Sequence, residues 1–445
     1  MTPMTQVKHV KHVKHVNHFR HQLRRGAVAL ALAATLPLPL AGAALAATLP
    51  LPLAGAALAA PHAAQAAPAV APAPPAATTL HLPRPTGPYA IGRDTLHLTD
   101  PQRRDPWVPS AGARELMASL YYPARPGTGH HRAPYMNTEE AQLFLRGIHR
   151  ADVLPAETLA ATRTHARTDA RPAPGRHPLV VLSPGFSLNR ATLSLLSEEL
   201  ASHGYVVALL DHAYESFGTA FPGGRTLTCV ACDTVEKAPK DVRKRLMAKV
   251  ATGRAADIRF VLDALTRTDR HGKHGLRGTH PAWRHSAMID TRRIGVAGHS
   301  IGGNSAAAAM AADPRIRAGV NMDGTFFAPV PHGGLDGRPF LMLGALNGHS
   351  PHDEDTSWLR DWRRLDGWKR WLTVRDAGHF SFIDIPVLGA QLGVTDPTAP
   401  LPGKRSGEIT RDYVTAFFDR HLRGLPRPLL DGPSAANPEV LFQNP

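Results

Sequence analysis

"DTRRIGVAGHSIGGNSAAAAMAADP", residues 290–314, passes from an apolar strand pattern through a tight turn of small residues into an alanine-rich helix. Ser300 stands at the sharpest point of that bend, between Gly298 and Gly302. Gly-His-Ser-Ile-Gly in a strand–turn–helix context has the form of a nucleophile elbow, which lifts a serine above the end of a sheet. The glycines are steric necessities of such a turn, because the backbone segments that meet there leave no room for a Cβ at 298 or 302. The N-terminus of the following helix favours negative charge at the serine oxygen and on a tetrahedral intermediate.

A serine hydroxyl is a weak nucleophile and needs a base, which in turn needs an acid to orient it. Among 25 histidines, His379 in "LTVRDAGHFSF" follows the last strand pattern and precedes the closing helix, where this chain order places the base. The acid has two candidate positions. Asp323 ends the strand pattern "RAGVNMDGTFF", whereas Asp353 and Asp355 lie in "GHSPHDEDTS", some residues beyond the next strand. Asp323 is preferred, because it sits directly at a strand end. The oxyanion of an acyl-transfer intermediate calls for two backbone N–H donors. Ile301, just after the serine, is one; Phe186, in the turn "LSPGFSLNR", is the other.

Around these motifs, buried strands alternate with helices. "HPLVVLSPGF", "VVALLDH", "RRIGVAG", "RPFLMLGAL" and "KRWLTVRDAGH" are near-continuous apolar runs. "NRATLSLLSEELASHGY", "KDVRKRLMAKVATGRAADIRFVLDALTRT" and "EITRDYVTAFFDRHLRG" read as helices, the first and last amphipathic. The pattern predicts an α/β fold with a mostly parallel sheet covered by helices on both faces. Two insertions, 134–170 and 217–235, are placed to form a lid or pocket wall. The only cysteines, Cys229 and Cys232, lie in the second and are expected to form a small structural disulfide.

The 445 residues are 43% hydrophobic and 20% charged, as in ordinary globular proteins. The net charge of +15 includes six lysines and arginines in residues 1–60, where no acid balances them. The remaining cations are scattered and accompany no nucleic-acid motif, so a nucleic-acid binder is excluded. Residues 1–59 join a basic segment to an apolar one containing "ATLPLPLAGAALA" twice, and end near Ala57-Leu58-Ala59. They read as a signal peptide, and the mature protein is expected to be secreted. A Pro/Ala linker at 60–84, a catalytic domain at 85–425 and a tail at 426–445 complete the expected organisation.

With these pieces in place, the chain resembles the platelet-activating factor acetylhydrolase family (plasma and type II intracellular branch) of the α/β-hydrolases. The likeness is carried by "RELMASLYYPA", "HPLVVLSPGFSLNRATLSLLSEELASHGYVVALLDH", "GHSIGG", "NMDGTFF" and "DAGHFSF". Pro184 departs from the histidine often found before the oxyanion glycine. The resemblance implies the α/β-hydrolase fold, Ser300 as nucleophile, Asp323 as acid, His379 as base, and Phe186 and Ile301 as oxyanion donors. It further implies hydrolysis of phospholipids with short or oxidised acyl chains, without metal or organic cofactor. Transient contact with a lipid surface is expected, and no obligate protein partner. A broad lipase or polyester hydrolase, and a non-catalytic lipid-binding protein, are the rival readings.

Overall fold

The computed structural model describes residues 79–266 and 282–445. The signal-peptide expectation and most of the expected linker lie outside the described residues. Globular structure starts earlier than position 85, since Leu80 and Leu82 are buried and the Leu82 N–H donates to the Arg163 carbonyl.

Eleven strands occur among the described residues: β1 (Ala90–Arg104), β2 (Ala113–Ala124), β3 (His177–Ser183), β4 (Val206–His212), β5 (Thr219–Phe221), β6 (Arg225–Leu227), β7 (Ile289–His299), β8 (Ile316–Met322), β9 (Phe340–Ala345), β10 (Lys369–Val374) and β11 (Val440–Gln443). Nine of them form one sheet in the order β1-β2-β4-β3-β7-β8-β9-β10-β11. The six strands from β4 to β10 in that order are parallel to one another. β2 and β11 run antiparallel to their inner neighbours. β5 and β6 form a separate hairpin.

The apolar runs exist because the central strands are covered twice. Val180 and Leu182 of β3 join one core, while Leu179 and Val181 join the other. Three helices of the second core lie on one face: α5 (Lys240–Thr266), α6 (Ile301–Ala312) and α7 (Ser357–Arg364). α3 (Ser194–Ser202), α8 (Asp384–Gln391) and α9 (Gly403–Arg423) cover the opposite face. The chain leaves β3 for β4 on one side and returns to β7 on the other. That reversal opens the crevice at the carboxyl ends of the strands where sites of open α/β sheets lie.

Two sequence expectations need correction. The run 189–205 is not one amphipathic helix: a 3₁₀ turn over Arg190–Leu193 precedes α3, and every residue of α3 is buried. Its two acids are accommodated by partners. Glu198 accepts the N–H groups of His165 and Ala166, and Glu199 pairs with Arg411 at 3.0 Å. Nor is 426–445 a free tail, because Val440–Gln443 pairs with β10 and closes that edge of the sheet. The insertion 134–170, expected as a lid or pocket wall, lines a cavity with Leu145, Ile148 and Leu154. It holds α1 (Thr138–Gly147) and α2 (Ala156–Ala160), and its end is stitched to β1 through Arg167 N–H to the Ile91 carbonyl at 2.9 Å. In the other insertion Cys229 and Cys232 are disulfide-bonded, at the start of α4 (Val230–Lys237).

Candidate active site

Ser300 follows β7 directly and caps α6 with φ 56° and ψ −126°. This is a backbone conformation that a residue with a Cβ adopts only under constraint. The constraint is close packing. A Cβ on Gly298 would stand 2.2 Å from the Gly302 carbonyl carbon, and one on Gly302 would stand 2.1 Å from the Ser183 oxygen. The elbow therefore presses against the end of β3, which brings the turn at 184–186 beside the serine.

Asp323 follows β8, also at positive φ (56°), and His379 begins a 3₁₀ turn (His379–Phe382) beyond the end of β10. The three meet at the carboxyl edge of the sheet. His379 Nε2 lies 3.0 Å from Ser300 Oγ, and His379 Nδ1 lies 2.6 Å from Asp323 Oδ2. Since an ionised carboxylate only accepts, Nδ1 carries the proton and Nε2 is free to accept the serine hydroxyl. Asp323 Oδ1 accepts the Ala345 N–H at 2.7 Å. Burial opposes the charge of Asp323, but His349 and the hydrogen-bonded His379 outweigh it and hold its pKa down to about 2. The alternatives do other work: Asp353 accepts the N–H groups of Gly348 and Ser350, and Asp355 accepts the Thr325 hydroxyl.

The backbone N–H of Phe186 and that of Ile301 engage no hydrogen-bond acceptor among the described residues. Their side chains belong to one apolar cluster with Trp107, Met247, Phe327 and Ala328. An oxyanion directed at those N–H groups would thus carry its acyl substituent along a wall of aromatic and thioether surface.

Several participants carried no sequence signal. His349 is buried, stacks on Trp358 at 4.3 Å between ring centroids, and places Nε2 3.6 Å from Asp323 Oδ1. His299, the variable residue of the elbow motif, donates from Nε2 to the His379 carbonyl at 2.7 Å. Burial, reinforced by the neighbouring His379, lowers its pKa to about 3, so it is a neutral strut at ordinary pH.

The largest omission is a buried ionic network below the turn at 184–186. Arg254 of α5 donates from Nη1 to the Pro184 carbonyl at 2.6 Å and from Nε to Glu215 at 2.7 Å. Glu215 also accepts from Trp107 Nε1 and from Arg114, each at 2.9 Å. Arg114 in turn reaches Asp105 and Asp257 at 2.8 Å each, and His212 links Asp257 to Ser183. Burial disfavours the Asp257 carboxylate, yet Arg114 and His212 hold its pKa well below the usual carboxylate range. Three segments far apart in sequence, 105–114, 212–215 and 254–257, are thereby tied to the turn that presents Phe186.

A family model described as platelet-activating factor acetylhydrolase, isoform II, matches residues 76–395. A probable 1-alkyl-2-acetylglycerophosphocholine esterase of Arthroderma benhamiae is 29% identical over 401 residues, spanning 81% of this chain and 93% of that protein. A platelet-activating factor acetylhydrolase of Cavia porcellus is 22% identical over 262 residues, 56% of this chain and 58% of that one. Among solved structures, a ferulic acid esterase from Streptomyces cinnamoneus superposes with a TM-score of 0.70 at 43% identity, covering 82% of this chain and 99% of its own.

Proposed function

The chain belongs to the platelet-activating factor acetylhydrolase isoform II family and is a carboxylic ester hydrolase, and on that premise we propose that it works through an acyl-enzyme on Ser300. The observation that carries this reading is the continuous chain from Ser300 Oγ through His379 to the buried, ionised Asp323. His379 Nε2 takes the serine proton as Oγ bonds to the ester carbonyl carbon. The N–H groups of Phe186 and Ile301 hold the oxyanion, and Asp323 keeps the imidazole in the required tautomer and stabilises the imidazolium. Collapse of the intermediate expels the alkoxide, which takes its proton from His379. Water, deprotonated by the same nitrogen, then releases the acid.

For the substrate, we propose phospholipid esters with a short or oxidised sn-2 acyl chain. The family and the curated relative named an alkylacetylglycerophosphocholine esterase support this. A second reading has its own observation. The wall of Trp107, Phe186 and Phe327 offers flat aromatic surface to the acyl group, and the similar solved structure is titled a ferulic acid esterase.

The test is kcat/KM over one series of acyl groups (acetyl, butyryl, octanoyl and feruloyl) with Ser300→Ala as the blank. Preference for acetyl supports the first reading, and preference for feruloyl the second. Ser300→Ala is expected to lose at least about 10³-fold in kcat, and near-native turnover by it would overturn the mechanism.

A further inference from the structure

Behind the catalytic acid, a second histidine lies between two carboxylates. His349 Nε2 faces Asp323 Oδ1 at 3.6 Å, and His349 Nδ1 faces Asp355 Oδ2 at 3.7 Å. All three side chains are buried. The ring lies nearly parallel to the Trp358 indole, with 14° between their planes. Gly344 of β9 makes this approach possible. A Cβ there would stand 2.8 Å from the Trp358 ring, 3.0 Å from Asp323 Oδ1 and 3.2 Å from His349 Cβ. His349 takes no part in the acyl transfer described above, so its place against the acid calls for another explanation.

The two carboxylates decide where its protons sit. An ionised carboxylate only accepts, and a neutral imidazole keeps a lone pair on one nitrogen. With a carboxylate oxygen beyond each nitrogen, either neutral tautomer would aim that lone pair at negative charge. Asp355 is committed as an acceptor on both oxygens, to the Ser357 N–H at 2.9 Å and the Thr325 hydroxyl at 2.7 Å. Asp323 is likewise committed, to the Ala345 N–H and to His379. Only the doubly protonated ring suits both neighbours, and stacking on the electron-rich indole face favours that cation further. The other groups packed around it are the Trp371 indole of β10, whose Nε1 donates to the His349 carbonyl at 2.8 Å, and Asp353 in the adjoining turn. The Asp353 carboxylate is taken by the N–H groups of Gly348 and Ser350.

The consequence falls on His379. Its Nδ1 is bonded to Asp323, so the charge gathered behind Asp323 governs how firmly His379 holds a second proton. With a neutral His349, two negative charges would lie behind the base; with a protonated one, the net charge there is a single negative. We infer that His349 is a positioning residue of the triad, a buried cation between Asp323 and Asp355 that steadies the acid and keeps His379 ready as a base further into the acid range. This rests on the acyl-enzyme reading above.

The first experiment is the pH dependence of kcat/KM on p-nitrophenyl acetate, with active sites counted by an organophosphonate. Its acidic limb reports protonation of the base in the free enzyme. His349→Gln keeps a donor for Asp323 Oδ1 but carries no charge. Its acidic limb is expected about one unit higher than the parent's, as loss of a nearby positive charge requires. A merely structural role would lower the fraction of active sites and leave the limb in place. The second experiment needs no variant. Heteronuclear NMR of the histidine ring nitrogens in the parent at neutral pH, with His349 assigned through its contacts to the Trp358 ring, is expected to show both nitrogens protonated.

An unmoved acidic limb in His349→Gln, or a neutral His349 ring in the parent, would overturn the assignment; if the variant does not fold, the NMR result decides. Absence of Ser300-dependent hydrolysis of p-nitrophenyl acetate would instead overturn the acyl-enzyme mechanism and leave the protonation of His349 to be read by NMR, so the two failures are distinguishable.

Discussion

Arg254 offers a direct test of how the oxyanion donor is positioned. The residue is 1% exposed and spans three acceptors, the Pro184 carbonyl, Glu215 and, at 3.4 Å, Ser183 Oγ. Pro184 precedes Phe186 by two residues, so this tether sets where the Phe186 N–H points. Arg254→Met removes all three bonds and leaves Glu215 to Arg114 and Trp107 alone. Breaking a buried charge pair costs roughly 3–5 kcal/mol; the two remaining partners of Glu215 place this case near the lower end. Loss of one oxyanion donor costs about 10²–10³ in kcat. A donor displaced but still present should cost about 10²-fold, with KM changing less than about three-fold, because the effect falls on the transition state.

Arg254→Lys keeps the charge but loses the fork, and about ten-fold is expected for it. The assay pairs steady-state kinetics on p-nitrophenyl acetate, corrected by active-site titration, with urea unfolding. Arg338→Met is the control. Arg338 is another buried arginine, whose donors go to the carbonyls of Leu335, Asp313 and Ile316 and to the Asp336 carboxylate. Its loss should destabilise the fold without lowering kcat per active site. A folded Arg254→Met enzyme with kcat within about three-fold of the parent would refute the tether.

Acid pH should expose His299. Its folded pKa of about 3 lies below the ordinary 6.5, so the unfolded chain takes up a proton first and stability falls as pH drops below 6.5. Between pH 7 and pH 5 this amounts to about 2 kcal/mol. His299→Gln, which retains a donor for the His379 carbonyl, should lose about that much less over the same interval in urea titrations; identical losses in parent and variant would count against the strut. Removal of residues 438–445 should lower the midpoint of thermal unfolding. It strips Val440 from the core and bares the β10 edge, a loss of about 3 kcal/mol from apolar burial together with an aggregation-prone strand edge. An unchanged midpoint by scanning calorimetry would mean that β11 contributes nothing to the sheet.

The residues that bond to one another in the site were legible because each carries a local signature. Ser300 has its glycines and its strand–turn–helix frame, and both steric requirements reappear as contacts near 2 Å for the missing Cβ atoms. Asp323 and His379 were recognisable from their places at strand ends, since a parallel sheet gathers the carboxyl ends of its strands on one edge whatever their distance in sequence. The preference for Asp323 over Asp353 and Asp355 agrees with the 2.6 Å contact to His379. Strand periodicity likewise delivered the alternating layers, because burial on both faces writes an uninterrupted apolar run.

What local pattern could not convey is pairing between distant polar residues. Arg114, Glu215, Arg254 and Asp257 each read as ordinary surface charge in one dimension, and only their convergence makes the network beneath Pro184. His299 and His349 were two histidines among 25, with roles defined entirely by neighbours from other strands. The C-terminal strand was missed for the same reason: "EVLFQ" is too short to declare itself, and the exposed edge of β10 is what gives it a structure. The sequence by itself determined which three residues meet at the carboxyl edge of the sheet and the alternation of the layers, since these follow from residue type and period. The tertiary structure alone decided how those groups are held, charged and flanked, because burial and long-range contact set both the pKa values and the shape of the space around His379.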